Sequence, residues 1–98
     1  MKIGKKIKEI RKIKKMDQST LATNCGISRT YLSQIENGKR NPNISILEKI
    51  CNGLGVPFQV ICFLSIDIGD VPKEKQLAYK KLNFPMTALI KAVFIPEL

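Results

Sequence analysis

The sequence predicts an all-α fold, with five short helices over residues 1–65 and a mainly helical C-terminal extension over 66–98. Three observations carry this. Apolar residues return every three or four positions, as at Ile3, Ile7 and Ile10 or at Leu47, Ile50, Cys51 and Leu54. Asp17, Ser28 and Asn43, whose short oxygen-bearing side chains can accept from free helix amides, stand just before such runs. Glycines punctuate the ends, at Gly26, Gly38, Gly53 and Gly55, where a chain leaving a helix often turns through positive φ.

The first helix covers 2–15. Its Ile3, Ile7 and Ile10 share one face, Lys5, Lys8, Lys12 and Lys15 lie elsewhere on the wheel, and Gly4 weakens the first turn. Asp17 caps the second helix, with Leu21, Ala22 and Cys25 on its apolar side and Gly26 as its stop. Ser28 caps the third, which runs to Glu36 or Asn37. At 100° per residue Leu32 and Ile35 fall on one side; Arg29, Ser33 and Asn37, flanked by Thr30 and Gln34, form the other, with Tyr31 at the border. Lys39, Arg40, Asn41 and Pro42 make a basic loop. Asn43 opens the fourth helix, which Gly53 and Gly55 end, and Pro57 opens from its first turn a fifth with Phe58, Ile61, Cys62 and Leu64 apolar. Residues 66–72 read as a turn-rich connection, extended where Ile66 and Ile68 alternate with Asp67. A helical stretch over 73–82 should break before Pro85, because the residue preceding a proline avoids the α region, and 86–95 should form one last short helix.

Ninety-eight residues make about one small domain, and 44% apolar content suffices for one modest core. The charge is lopsided. The first forty residues carry eleven lysines and arginines against Glu9, Asp17 and Glu36, whereas the remainder carries six against five. Such a load suits a nucleic-acid or anionic-membrane partner, or a lysine face kept for solubility, and charge alone does not choose. The longest apolar stretch, 56–68, is interrupted by Gln59, Ser65 and Asp67 and is shorter than the roughly 20 residues a span needs; no apolar run follows the N-terminal lysines as in a secretory signal. The expectation is a soluble cytoplasmic protein. Cys25, Cys51 and Cys62 are odd in number and far apart, and the chain has no histidine, so they are expected to be reduced, buried small hydrophobes with no metal site. There is no glycine-rich phosphate loop and no carboxylate pair set for acid–base work, which argues against an enzyme and against a resident cofactor.

Two helices around a glycine-bearing turn are common. The stretch QSTLATNCGISRTYLSQIENGKRNP, residues 18–42, is more particular. Gln18, Leu21 and Ala22, then Gly26, Ile27 and Ser28, then the run from Tyr31 to Pro42 resemble the phage-repressor-like (Xre, Cro/CI-type) helix-turn-helix family over about two-thirds of the chain. The resemblance implies a five-helix lambda-repressor-like DNA-binding domain with its motif at 18–37, in which helix 28–36 enters a major groove about 12 Å wide. Small Ala22 suits the close crossing of the two motif helices.

At matched positions the resemblance assigns base edges to Arg29, Thr30, Ser33 and Gln34, Arg29 foremost because a guanidinium can bond guanine O6 and N7 together. Gln18 would meet a backbone phosphate together with the free amides at the start of its helix. Asn37, Lys39 and Arg40 would hold phosphates beyond the recognition helix, and Ser28 would add a further contact. It further implies that Arg11 and Glu36 form a structural ion pair fixing the recognition helix. Lys2, Lys5 and Lys6 would add field near DNA, while Lys12 and Lys15 are solvated.

The resemblance stops near Leu64. Leu77, Leu82, Phe84, Met86, Leu89, Ile90, Val93, Phe94 and Ile95 are many apolar groups for a tail beyond a domain that closes its own core, and such a surplus marks an interface. Two readings stand: the segment 66–98 brings two copies together on a palindromic double-stranded operator, or it folds back over its own domain. The function expected is a sequence-specific DNA-binding transcriptional regulator, most simply a homodimeric repressor. Within that class RTYLSQIENGKRNP is particularly like restriction-modification controller proteins, and an antitoxin also fits. The contrasting reading is a protein-interaction adaptor built on the same fold, which would not need a polar, base-reaching face on the third helix.

Overall fold

The capping residues account for where the helices begin. The computed structural model describes residues 2–97. Asp17 accepts from the Thr20 amide at 2.7 Å, Ser28 from Tyr31 at 3.0 Å and Asn43 from Ile46 at 2.9 Å, so three helices open on a side-chain oxygen. The order is α1 Ile3–Ile13, α2 Gln18–Cys25, α3 Arg29–Glu36, α4 Ile44–Leu54, α5 Phe58–Leu64 and α6 Gln76–Phe94, with 3-10 turns at Ile68–Asp70 and Lys73–Lys75 before the last. Gly26 and Gly55 end α2 and α4 at φ of 68° and 74°, and Gly38 turns the chain beyond α3 at 75°. A side chain at any of the three would be strained.

One core holds the five short helices. α1 packs on α3 and α5, α2 on α3 and α4, and α4 on α5, around Ile7, Ile10, Leu21, Leu32, Ile50 and Ile61, all essentially without exposed surface. Ala22 is buried as its size suggested. Cys25 and Cys51 are buried free thiols, and burial pushes Cys51 up to about 12; Cys62 is only half-buried. Among the described residues no single helix is long and apolar enough to cross a membrane.

Several expectations are corrected. α4 runs through Gly53 rather than stopping there: a Cβ at Gly53 would sit 2.9 Å from Leu21 Cδ1 and 3.2 Å from Cys25 Sγ, so this glycine is a point of close helix contact. Pro57 stands at the N-cap position, one residue ahead of α5. Residues 68–70 form a 3-10 turn, not an extended piece. The tail is one helix of 19 residues that passes through Pro85. An interior proline removes one amide donor and presses on the preceding turn, at a cost of about 3 kcal/mol. Local bonds span the site, with Thr87 Oγ1 donating to Asn83 Oδ1 at 3.1 Å. One end is tied to the preceding connection and the other to the core. The Gln76 amide donates to the carbonyls of Ile68 and Val71 at 3.1 Å, and Ile95, just past the other end, is fully buried in the core. The five helices therefore do not close the core alone. Between its ends α6 leaves Leu77, Leu82, Phe84, Leu89 and Val93 more than half exposed.

Candidate nucleic-acid interface

α3 is polar outward because its apolar residues are used inward. Leu32 and Ile35 are buried against α1 and α2, which leaves Arg29 and Thr30 exposed and Ser33 and Gln34 half-buried beside them. Asn37, Lys39 and Arg40 follow at the exposed C-terminal end. The four residues expected to face bases thus share one exposed side of a single helix, with Ser28 at its start and the basic loop at its finish.

That helix is braced from beneath. The Arg11 guanidinium grips Glu36 with two bonds, Nε to Oε2 at 2.7 Å and Nη2 to Oε1 at 3.1 Å, and donates through Nη1 to the Met16 carbonyl at 2.8 Å. Both residues are buried, so the expected structural pair is present and fully engaged. Two-point Arg–carboxylate bonding fixes orientation as well as distance, and here it fixes the end of α3 to α1.

Gln18 is placed differently from expectation. Its Nε2 donates to Glu36 Oε1 at 3.0 Å, while its Oε1 accepts from Arg29 Nε at 3.4 Å. The side chain joins the buried ion pair to the guanidinium at the head of α3, forming a chain Arg11–Glu36–Gln18–Arg29. The amides at this helix start are not all free either, since Asp17 occupies that of Thr20. Those two bonds to Thr20, from its amide and its hydroxyl, hold the Asp17 carboxyl below its usual range.

Two further features were not visible in the pattern of residues. The Arg40 guanidinium lies over the Tyr31 ring at 5.4 Å from its centre, which gives the border residue Tyr31 a use and holds the basic loop against α3. Gly4 meets the far end of α3 so closely that a Cβ there would collide with the Ile35 carbonyl oxygen. Among the described residues no group of three or more histidine, cysteine or acidic side chains could hold a metal.

Comparison with known proteins agrees with this geometry. The family described as Helix-turn-helix, HTH_3, matches residues 7–61, more than half of the chain. The immunity repressor protein of Bacillus phage phi105 is 41% identical over 61 residues, covering 62% of this chain and 42% of that protein, so the chain spans about two-fifths of the repressor's length. The control protein C.MunI of Mycoplasma sp is 41% identical over 75 residues, covering 76% of this chain and 93% of that one. Among solved structures, the restriction-modification controller protein C.AhdI of Aeromonas hydrophila superposes with a TM-score of 0.59 at 30% identity, over 61% of this chain and 91% of its own.

Proposed function

The chain belongs to the HTH_3 helix-turn-helix family, and on that premise we propose that it is a DNA-binding transcriptional regulator, acting as a sequence-specific homodimeric repressor in the cytoplasm, without enzymatic activity. The observation that carries the reading is the braced, outward polar side of α3. A helix held by a buried two-point ion pair, with Arg29, Thr30, Ser33 and Gln34 along one exposed side, suits entry into a major groove. Ser28, Asn37, Lys39 and Arg40 flank that row where phosphates would run, and Gln18, at the start of α2 where a phosphate would also pass, steadies Arg29. An adaptor would have no use for Arg29 aimed outward from a hydrogen-bonded support.

Selection from random oligonucleotides, followed by titration at two salt concentrations, tests this. The expected result is an enriched palindrome; affinity that depends on salt alone, with no motif, would defeat it. On the selected site Arg29→Ala should cost about 1–3 kcal/mol of discrimination at one base pair per half-site while leaving binding to unrelated DNA nearly unchanged. A uniform loss across all sequences would instead make Arg29 a phosphate contact.

The dimer rests on α6. Leu82, Met86, Leu89 and Val93 recur at i, i+4, i+7 and i+11, the spacing of a two-helix seam, and all four are exposed. Lys80, Lys81 and Lys91 lie off that line, so a second copy can approach without stacking like charges. Two copies on a two-fold axis would read half-sites about 34 Å apart. Leu89→Lys should convert the dimer to a monomer by light scattering while leaving helicity unchanged, because it places a charge at the centre of the seam. A wild-type chain that is monomeric at micromolar concentration would remove the dimer.

A further inference from the structure

Past the C-terminal end of α3, α1 and the loop that follows α3 line a cleft of about 840 Å³, within the size range of small-molecule sites. Lys5, Lys8 and Lys12 reach it from α1, Lys2 from the residue just ahead of α1, and Arg40 from the facing loop. Its apolar lining is Ile3, Ile35, Pro42 and Leu47. The close contact of Gly4 with the Ile35 carbonyl brings the two walls together at one end.

The lysine charge in this cleft is not paired with a carboxylate among the described residues. Both carboxylates at its edge are already engaged, Glu9 with Lys6 at 2.8 Å and Glu36 with Arg11. Among the described residues none of the four lysines has an ion-pair partner. Lys5, Lys8 and Lys12 lie three and four positions apart, the spacing at which like charges on a helix face repel and destabilise it. A bound anion offsets that repulsion. The apolar part of the lining can take an apolar body attached to the anion, and Asn37 and Asn41 add side-chain amides to the cleft wall.

We infer that this cleft is a phosphate site, taking a phosphate or diphosphate group between Lys5, Lys8, Lys12 and Arg40. Two sources offer that chemistry: a free phosphorylated small molecule of nucleotide size, or the sugar-phosphate strand of DNA lying beyond the base-reading row. Only the second source rests on the DNA-binding reading. A free anion held here would sit beside Lys39 and Arg40 and compete with the strand they are proposed to hold, which would make the cleft a point of control.

The test uses the full chain with Lys5→Gln, Lys8→Gln and Lys12→Gln combined, against a control with Lys80→Gln, Lys81→Gln and Lys91→Gln on α6, which removes equal charge elsewhere. Circular dichroism checks that both fold. Titration with inorganic pyrophosphate, and separately with ATP, should show binding weakened about tenfold in the α1 variant relative to the control. With DNA, the log–log salt slope should fall by about 0.9 for each lysine that meets a phosphate. Loss of pyrophosphate binding with an unchanged DNA slope assigns the site to a free anion; a lowered slope with no pyrophosphate binding to wild type assigns it to the strand. If the α1 and α6 variants behave alike in both arms, the site does not exist. Should wild type bind no DNA at all, the regulator reading fails, and the pyrophosphate arm still decides the cleft.

Discussion

Glu36→Ala is expected to cost about 3–5 kcal/mol of stability, a large part of the total for a domain of this size. The cost comes from what remains behind. Arg11 would stay buried with its Nε and Nη2 donors unmet, keeping only its bond to the Met16 carbonyl. Gln18 would lose the acceptor for its Nε2, and with it the support it passes on to Arg29. Urea denaturation of the single variant should show the loss as a lower midpoint at unchanged slope. The paired change Arg11→Met with Glu36→Leu separates the causes, because replacing both partners by apolar groups removes the desolvated charge and should recover much of the stability. DNA recognition should not recover with it, since neither Met nor Leu can hold Gln18. A Glu36→Ala midpoint equal to wild type would mean that the pair braces nothing.

Much of the fold was legible because its signals are local. A cap such as Asp17 or Ser28 and a positive-φ glycine such as Gly26 act within one turn, and the inward spacing of Leu32 and Ile35 determines which side of α3 faces out. The errors lie where a distant partner decides. Gly53 reads as a stop until α2 is seen to press Leu21 and Cys25 against it. Pro85 reads as a break, since nothing nearby announces that α6 is bonded to the preceding connection at Gln76 and that Ile95 beyond it is buried in the core. Ile95 itself looks like surplus tail, and its burial shows that the core draws on a residue more than thirty positions beyond α5.

The same division applies to the binding side. That Arg29, Thr30, Ser33 and Gln34 lie together follows from helix periodicity. That Gln18 bonds Glu36 and Arg29 does not, because it requires three helices to meet. In sequence Lys2, Lys5 and Lys6 read as field and Lys12 and Lys15 as solvated surface, although Lys5, Lys8 and Lys12 already sit at i, i+3 and i+7. What the spacing lacks is the facing wall, the loop at Arg40, which only the packing of α1 on α3 supplies.

Gly4→Ala tests that packing directly, and its expected effect is the second largest. In sequence the glycine reads as a weak first turn, so alanine there should help by up to about 1 kcal/mol of helix propensity, less so near close neighbours of the helix end. Its place in the fold reverses the sign. The added Cβ would collide with the Ile35 carbonyl oxygen and lie 3.0 Å from its carbon. These are backbone atoms, which cannot rotate aside as a side chain would. Either α1 lifts from α3 or the end of α3 shifts, and both moves strain the Arg11–Glu36 grip one residue beyond. The net loss should be about 1–3 kcal/mol, the usual range for overpacking, with discrimination between operator bases reduced more than affinity for unrelated DNA. Gly69→Ala provides the control: a Cβ there meets nothing within 4 Å, and its stability should stay within about 0.5 kcal/mol of wild type. If the two alanine variants unfold at the same urea concentration, the approach of α1 to α3 is looser than the structure describes, and the brace beneath the recognition helix must be sought elsewhere.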